Sequence, residues 1–169
     1  MKKLFLIIIL FQIISLKANS QIVYIDMNFI LNNSQVGKFL NNYLNTINDK
    51  KLLELKEIEN QIIKKEQSLI AKQNIIEKKE FEQKLSQLSK EVQKYRSDKK
   101  KTLDDINKIK KENVKKILNA LNPIVSQYVN ENSISLVIPK KNIIVGKKNL
   151  DITKEILDLL DQKIKKLDF

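Results

Sequence analysis

The chain has no cysteine, no histidine and no tryptophan. Without cysteine there is no disulfide to form in an oxidising compartment and no thiol to carry a lipoprotein anchor. The missing histidine removes the commonest general base and the commonest metal ligand together. Arginine is nearly absent as well, with Arg96 alone among 32 basic residues. Lysine is a flexible point charge, whereas arginine supplies the two-pronged fork that reads guanine, so base-specific recognition of nucleic acid is not expected. Glycine and proline number two each, and neither occurs between Lys38 and Asn122. There is no glycine-rich phosphate loop and no metal-ligand cluster of the usual spacing. The acids stand where they serve i,i+4 pairs with lysines, as Asp104 does with Lys108. This pattern leads to no expected catalytic residue, no cofactor and no metal.

Lysine, glutamate and aliphatic residues fill the chain instead. The first residues read as an export signal, with basic Lys2 and Lys3, an apolar run from Leu4 to Ile14 broken by Gln12, and the small residues Ala18 and Ser20 flanking Asn19. Cleavage is expected before Gln21. The apolar run of about 11 residues falls short of the ~20 a membrane span needs. Removing residues 1–20 takes three lysines and no acid from a chain of net charge +12, leaving +9. That charge favours anionic partners such as anionic lipid, lipopolysaccharide or acidic polypeptide, and export makes nucleic acid the least expected of them.

Gln21 to Met27 is a short β-branched run suited to a buried strand. Asn28 to Asn33 would make a turn or one helical turn, and Ser34 is placed to cap the helix that follows. The stretch from about 36 to 128 is helix-prone throughout. Val36, Phe39, Leu40, Tyr43, Leu44 and Ile47 give it a first apolar face. Leu55, Ile62, Leu69 and Ile76 then recur every seven residues, with Ile58 at an alternate seam position but Lys51, Lys65 and Lys72 at others. A tight two-stranded coiled coil would keep both positions apolar, so this seam describes a loosely packed arm.

A second seam at Phe81, Leu85, Leu88, Val92 and Tyr95, resuming at Ile106 and Ile109, is shifted two positions in the heptad. One continuous helix would turn its apolar stripe by roughly 200° across that shift. A reversal near 73–79 removes the conflict, because each arm then faces the other. Distance points the same way. One straight helix over residues 36–128 would hold the two chain ends ~140 Å apart, whereas a hairpin brings them together on an arm of about 60 Å. The N-terminal strand would then meet its expected partners, Ile134 to Ile138 and Asn142 to Val145. Two strands alone are marginal. Pro123 is expected to kink the return helix or to start a new one. Asp151 would cap a final amphipathic helix through Ile152, Ile156, Leu157, Leu160, Ile164 and Leu167.

The expected fold is therefore α+β, mostly α. Residues 21–35 and 129–169 would form a small β body, with strand residues Ile22, Val23, Tyr24, Ile25, Leu136, Val137, Ile138, Ile143, Ile144 and Val145. Residues 36–128 would form the antiparallel helical-hairpin arm. With so much of the chain in an exposed arm, the remaining core is small and self-association must supply stability. Two surface features are candidates for binding. Lys94, Arg96, Lys99, Lys100 and Lys101 could attract anions, although a solvated helix face is the simpler account. Ile75, Ile76 and Phe81 near the arm tip are hard to bury in a two-helix hairpin and could touch apolar polypeptide.

These residues resemble the Skp/OmpH family of periplasmic chaperones. The likeness rests on the exported N-terminus, the strand Ile22-Val23-Tyr24-Ile25-Asp26-Met27, the long charged helical pair and the ending Ser135-Leu136-Val137-Ile138, Asn142-Ile143-Ile144-Val145 and Asp151-Ile152-Thr153. The resemblance implies a homotrimer in which three chains share the β body and three hairpins surround a cavity. It implies an ATP-independent holdase in the periplasm that binds unfolded outer-membrane proteins and prevents their aggregation. Lipopolysaccharide or anionic lipid is a further implied ligand of the arms. Because this chain carries almost only lysine, no arginine-based site is carried over. The alternative is a structural coiled-coil spacer, or an adaptor subunit of an envelope complex.

Overall fold

The structure, a computed structural model, describes residues 21–169. The export signal expected at 1–20 lies outside the described residues.

Strand β1 (Gln21–Ile25) opens the fold and pairs in parallel with β2 (Ile134–Pro139), in a register that sets Ile22 against Leu136, Val23 against Val137 and Tyr24 against Ile138. Between them lie three helices. Helix α1 (Met27–Asn33) starts where the Asp26 carboxylate accepts the Phe29 amide at 2.9 Å. One residue later α2 (Gln35–Ala71) begins, and the Ser34 hydroxyl accepts the Gly37 amide at 3.1 Å, satisfying an orphan donor of the first turn. Gly37 is needed for space. A Cβ there would lie 1.9 Å from the Leu31 carbonyl oxygen, so only glycine lets α2 come this close to α1.

Helix α2 stops at Ala71, and residues 72–77 form a turn held by the Ile75 and Ile76 amides on the Lys72 carbonyl, at 2.9 and 3.1 Å. Helix α3 (Lys78–Glu131) then runs back along α2. Lys65 meets Glu91 across the pair at 2.7 Å, and nearer the body Ile47 shares a groove with Ile106 and Ile109. The 37 residues of α2 correspond to about 55 Å of helix. The last turns of α3 continue onto β2 and onto helix α4 (Thr153–Lys163).

The core sits where all these elements meet. Val23, Ile30, Val36, Ile117, Leu121, Ile156 and Leu160 are its most deeply buried side chains. Polar links fasten α4 there, among them Lys163 Nζ donating to Gln127 of α3 at 2.7 Å. The Gln35 amide, at the exposed start of α2, donates to Asp161 at 2.8 Å, and the Asp26 amide donates to the Thr153 hydroxyl at 2.8 Å. Asp151 accepts the Thr153 amide at 3.0 Å, one residue before the formal cap position, Ile152. Leu167 lies beyond the end of α4.

Two expectations are corrected. Ile143, Ile144 and Val145 form no strand: after Pro139 the chain makes a 3-10 turn at Lys140–Asn142 and then an irregular loop. Pro139 has no amide with which to extend a ladder. The second edge of β1 is already taken, because Tyr24 bridges Asp151 and its carbonyl accepts the Ile152 amide at 3.0 Å. The sheet therefore has two strands. Pro123 does not begin a new helix either. Helix α3 runs through it, and Asn119, whose carbonyl the missing amide would otherwise serve, is an exposed residue.

Candidate functional site

The arm is thin, and that decides what it shows to solvent. A helix with a single helical neighbour can cover about one face, so an apolar residue one step off the seam is turned out by ~100°. The sequence contains several adjacent apolar pairs, and the structure splits them. Leu69 is buried while Ile70 is 62% exposed; Ile76 is half-buried while Ile75 is 79% exposed. Leu52, Leu53, Ile58, Ile63 and Leu85 are also exposed. The arm thus carries a discontinuous set of outward aliphatic side chains from its middle to its tip. Of the expected tip residues, Ile75 is presented from the turn, while Ile76 and Phe81 are half-buried. Ile70 and Leu85, not singled out as outward from the sequence, are exposed as well. The doubled apolar letters were the signal for Ile70.

The inner side of the arm is not closed. Near the tip a groove of about 450 Å³ opens between the helices, with Leu69 and Leu88 among its lining residues and Lys64, Lys65, Lys72 and Lys84 around it. This is the physical form of the half-basic seam: lysine stems cover apolar surface while their ammonium groups reach water.

The five basic residues of the expected anion patch are all exposed on α3, but helical geometry does not bring them to one face. At ~100° per residue Lys94 and Lys101 share one side, and Arg96, Lys99 and Lys100 the opposite one. Lys94 is paired with Asp98 at 2.7 Å, and Lys101 lines a groove with Lys51, Asp98 and Asp105. Lys99 lies 5.8 Å from the Tyr95 ring. Arg96, Lys99 and Lys100 are what remain as an outward cationic group.

Of the expected body-strand residues, Val23 and Ile25 enter the core, while Ile22 and Leu136 are about half exposed at 51% each. Tyr24, Val137 and Ile138 are partly buried. Ile144 and Val145 stand fully in solvent, and Ile143 is partly covered. Titration behaviour follows structural roles. The Phe29 amide holds the Asp26 carboxyl below its usual range, opposed by desolvation and helped by Lys140 at 3.3 Å. The Lys51 ammonium lowers Glu54, and burial with Glu155 nearby raises Tyr128. These are a helix cap, a surface ion pair and a packed ring. Among the described residues no His, Cys, Asp and Glu group could hold a metal ion.

The fold has a solved relative. The crystal structure of an OmpH-like candidate outer membrane chaperone from Caulobacter crescentus CB15 superposes with a TM-score of 0.78, covering 88% of each chain at 20% sequence identity. At that identity the likeness speaks for the fold. No curated protein matches the chain. The profile of the family described as outer membrane protein (OmpH-like) matches residues 21–160, nearly all of the described chain, and the protein therefore belongs to the OmpH-like family.

Proposed function

We propose that this protein is a periplasmic holdase, which binds unfolded outer-membrane proteins on their way to the membrane and keeps them from aggregating without using ATP. The observation that carries this reading is the set of outward aliphatic residues, Leu53, Ile58, Ile63, Ile70 and Ile75 among them, on a hairpin too thin to bury them. Unfolded β-barrel proteins expose strand segments that pair and aggregate. Scattered apolar contacts can hold such a chain without favouring one structure in it. Lysines such as Lys64 and Lys72 beside those contacts add a diffuse attraction that salt would weaken.

In this reading three chains assemble through the body. The exposed Ile144 and Val145 beside a small two-stranded sheet support self-association, since a sheet this small is marginal alone. Three arms around one client would turn weak contacts into useful retention through effective concentration. Lipopolysaccharide or another anionic lipid is a secondary ligand, with Arg96, Lys99 and Lys100 as its contact group. The reading involves no catalysis, so it requires no cofactor. A straight spacer is disfavoured because α2 and α3 lie side by side.

The test is dilution of a urea-unfolded β-barrel outer-membrane protein into buffer at low salt, followed by light scattering. Equimolar trimer should suppress aggregation; unchanged scattering would remove the proposal. Sedimentation of the same sample checks the trimer.

A further inference from the structure

After Lys163 the chain leaves α4 and runs without regular structure from Ile164 to Phe169. This segment crosses the root of the hairpin from one long helix to the other. Phe169 stacks on Phe39 of α2, with ring centroids 5.6 Å apart, and leans on Tyr43 at 6.4 Å. Lys166 Nζ lies 5.6 Å from the centre of the Phe39 ring. On α3, Lys116 Nζ donates to the Asp168 carbonyl at 2.8 Å. Phe39 and Tyr43 are four residues apart, so their rings stand on one helix face. With Lys116 across from them they make an aromatic cradle beside a lysine that reads main chain.

Ile164, Leu167 and Phe169 pack against the edge of the core, but the contacts that the last two residues make with the cradle lie in the open. The Lys116 hydrogen bond is exposed, and Phe39 stays 41% exposed beneath the stacked ring. The Ile164 amide still donates to the Leu160 carbonyl at 2.7 Å, and beyond it the segment joins neither the sheet nor a helix. Besides the Lys166 ammonium over Phe39, the cradle takes one aromatic side chain and one main-chain carbonyl. Unfolded strand segments offer those same groups, because aromatic residues are enriched in strands and an unpaired strand leaves its carbonyls free.

We infer that Phe39, Tyr43 and Lys116 form a binding site for extended peptide segments that carry an aromatic side chain, and that Asp168 and Phe169 are its resident occupant, displaced when such a segment binds. The inference rests on the holdase reading, for which it names a client chemistry and a place of first attachment. A tethered occupant competes at high effective concentration, and the apparent affinity for an incoming segment falls with the fraction of time the cradle is open. Only segments able to stack an aromatic ring then displace it.

The experiment uses the full chain and a fluorescein-labelled peptide of residues 160–169, followed by anisotropy. Phe169→Ala should bind the peptide roughly tenfold more tightly than the unsubstituted chain, which corresponds to ~1.4 kcal/mol. Adding Phe39→Ala, or replacing the phenylalanine of the peptide with alanine, should abolish that binding, and Lys116→Ala should weaken it severalfold. Phe39 is partly exposed, so a melting curve should show its variant folded; Tyr43→Ala gives a second route to the same loss. Equal affinity for the unsubstituted and Phe169→Ala chains, or binding indifferent to Phe39, overturns the inference. An unfolded β-barrel protein in place of the peptide separates the two readings. Retention in the order Phe169→Ala, unsubstituted, Phe39→Ala supports the site. Equal retention by all three overturns it as a client site and leaves the holdase reading intact. No retention by any, with the peptide results as stated, removes the holdase reading and leaves the peptide site.

Discussion

The root and the outer arm of the hairpin are made from the same two helices, yet they pack by different rules. At the root α2 and α3 bury Val36, Leu40, Ile117, Leu121 and Ile124 beneath α1, α4 and the sheet. Beyond Leu44 the only buried residues of α2 are Leu55 and Leu69, and α3 buries nothing before Asn113. The cause is the number of neighbours. At the root each long helix touches several elements and is covered on more than one face, whereas in the arm each has a single partner. Stability therefore concentrates at the root, and the arm is ordered mainly by helix continuity and a sparse seam. That division suits a molecule whose outer half must stay adaptable while its base stays fixed.

The largest test of this contrast is Gly37→Ala at the root. The new methyl would meet a backbone oxygen that cannot move without shifting α1, so a loss of about 4 kcal/mol or more is expected, enough to erase a cooperative urea transition. Next comes a matched pair of truncations. Ile117→Ala, in the closed core, should cost about 3–4 kcal/mol. Leu69→Ala, beside the open groove where water can enter the space left behind, should cost about 1–2 kcal/mol. Equal losses from the two in urea melts would break the comparison. Native-state hydrogen exchange sharpens it: amides around Ile117 to Leu121 should exchange only through global unfolding, those around Leu85 to Tyr95 through cheaper local opening.

Smaller effects lie at the polar fastenings of the root. The Asp26 carboxyl titrates below its unfolded value of about 3.9. Its stabilisation is therefore fully present above that value and is lost as the pH falls through the folded pKa. Asp26→Asn can still cap α1 but cannot pair with Lys140, so it should flatten the acid limb of stability against pH by under ~1 kcal/mol. The smallest change expected is a gain. Ser133 holds a φ of 52° between α3 and β2, and Ser133→Gly should stabilise the protein by about 0.5 kcal/mol, read as a small rise in the urea midpoint.

Much of this architecture is local and was legible from the letters. The run without glycine or proline forms two long helices, the shifted seams meet in the stretch where those helices separate, and Ser34 caps as its position suggested. Ile143 to Val145 show the limit. Their composition suits a strand, but strand formation needs a free edge, and the β1 edge is occupied by Asp151 and Ile152 from further along the chain. The candidate sites divide in the same way. Three apolar residues at the tip exceed what two helices can cover, so the exposure of Ile75, on the turn, was readable. Grouping Lys94 to Lys101 by proximity in sequence ignored the rotation that puts them on two sides of α3.

By itself, then, the sequence determined whatever depends on neighbours within a few residues: helix, strand and cap propensities, the half-basic seam and its phase. The tertiary structure alone decided what depends on distant partners meeting. It set the parallel pairing of β1 with β2, the bridge of Tyr24 to Asp151, and the crossing of Phe169 onto Phe39. The physical reason is range. Backbone periodicity and capping act over one or two turns of chain, while edges, bridges and ring stacks exist only once residues more than a hundred positions apart occupy the same space.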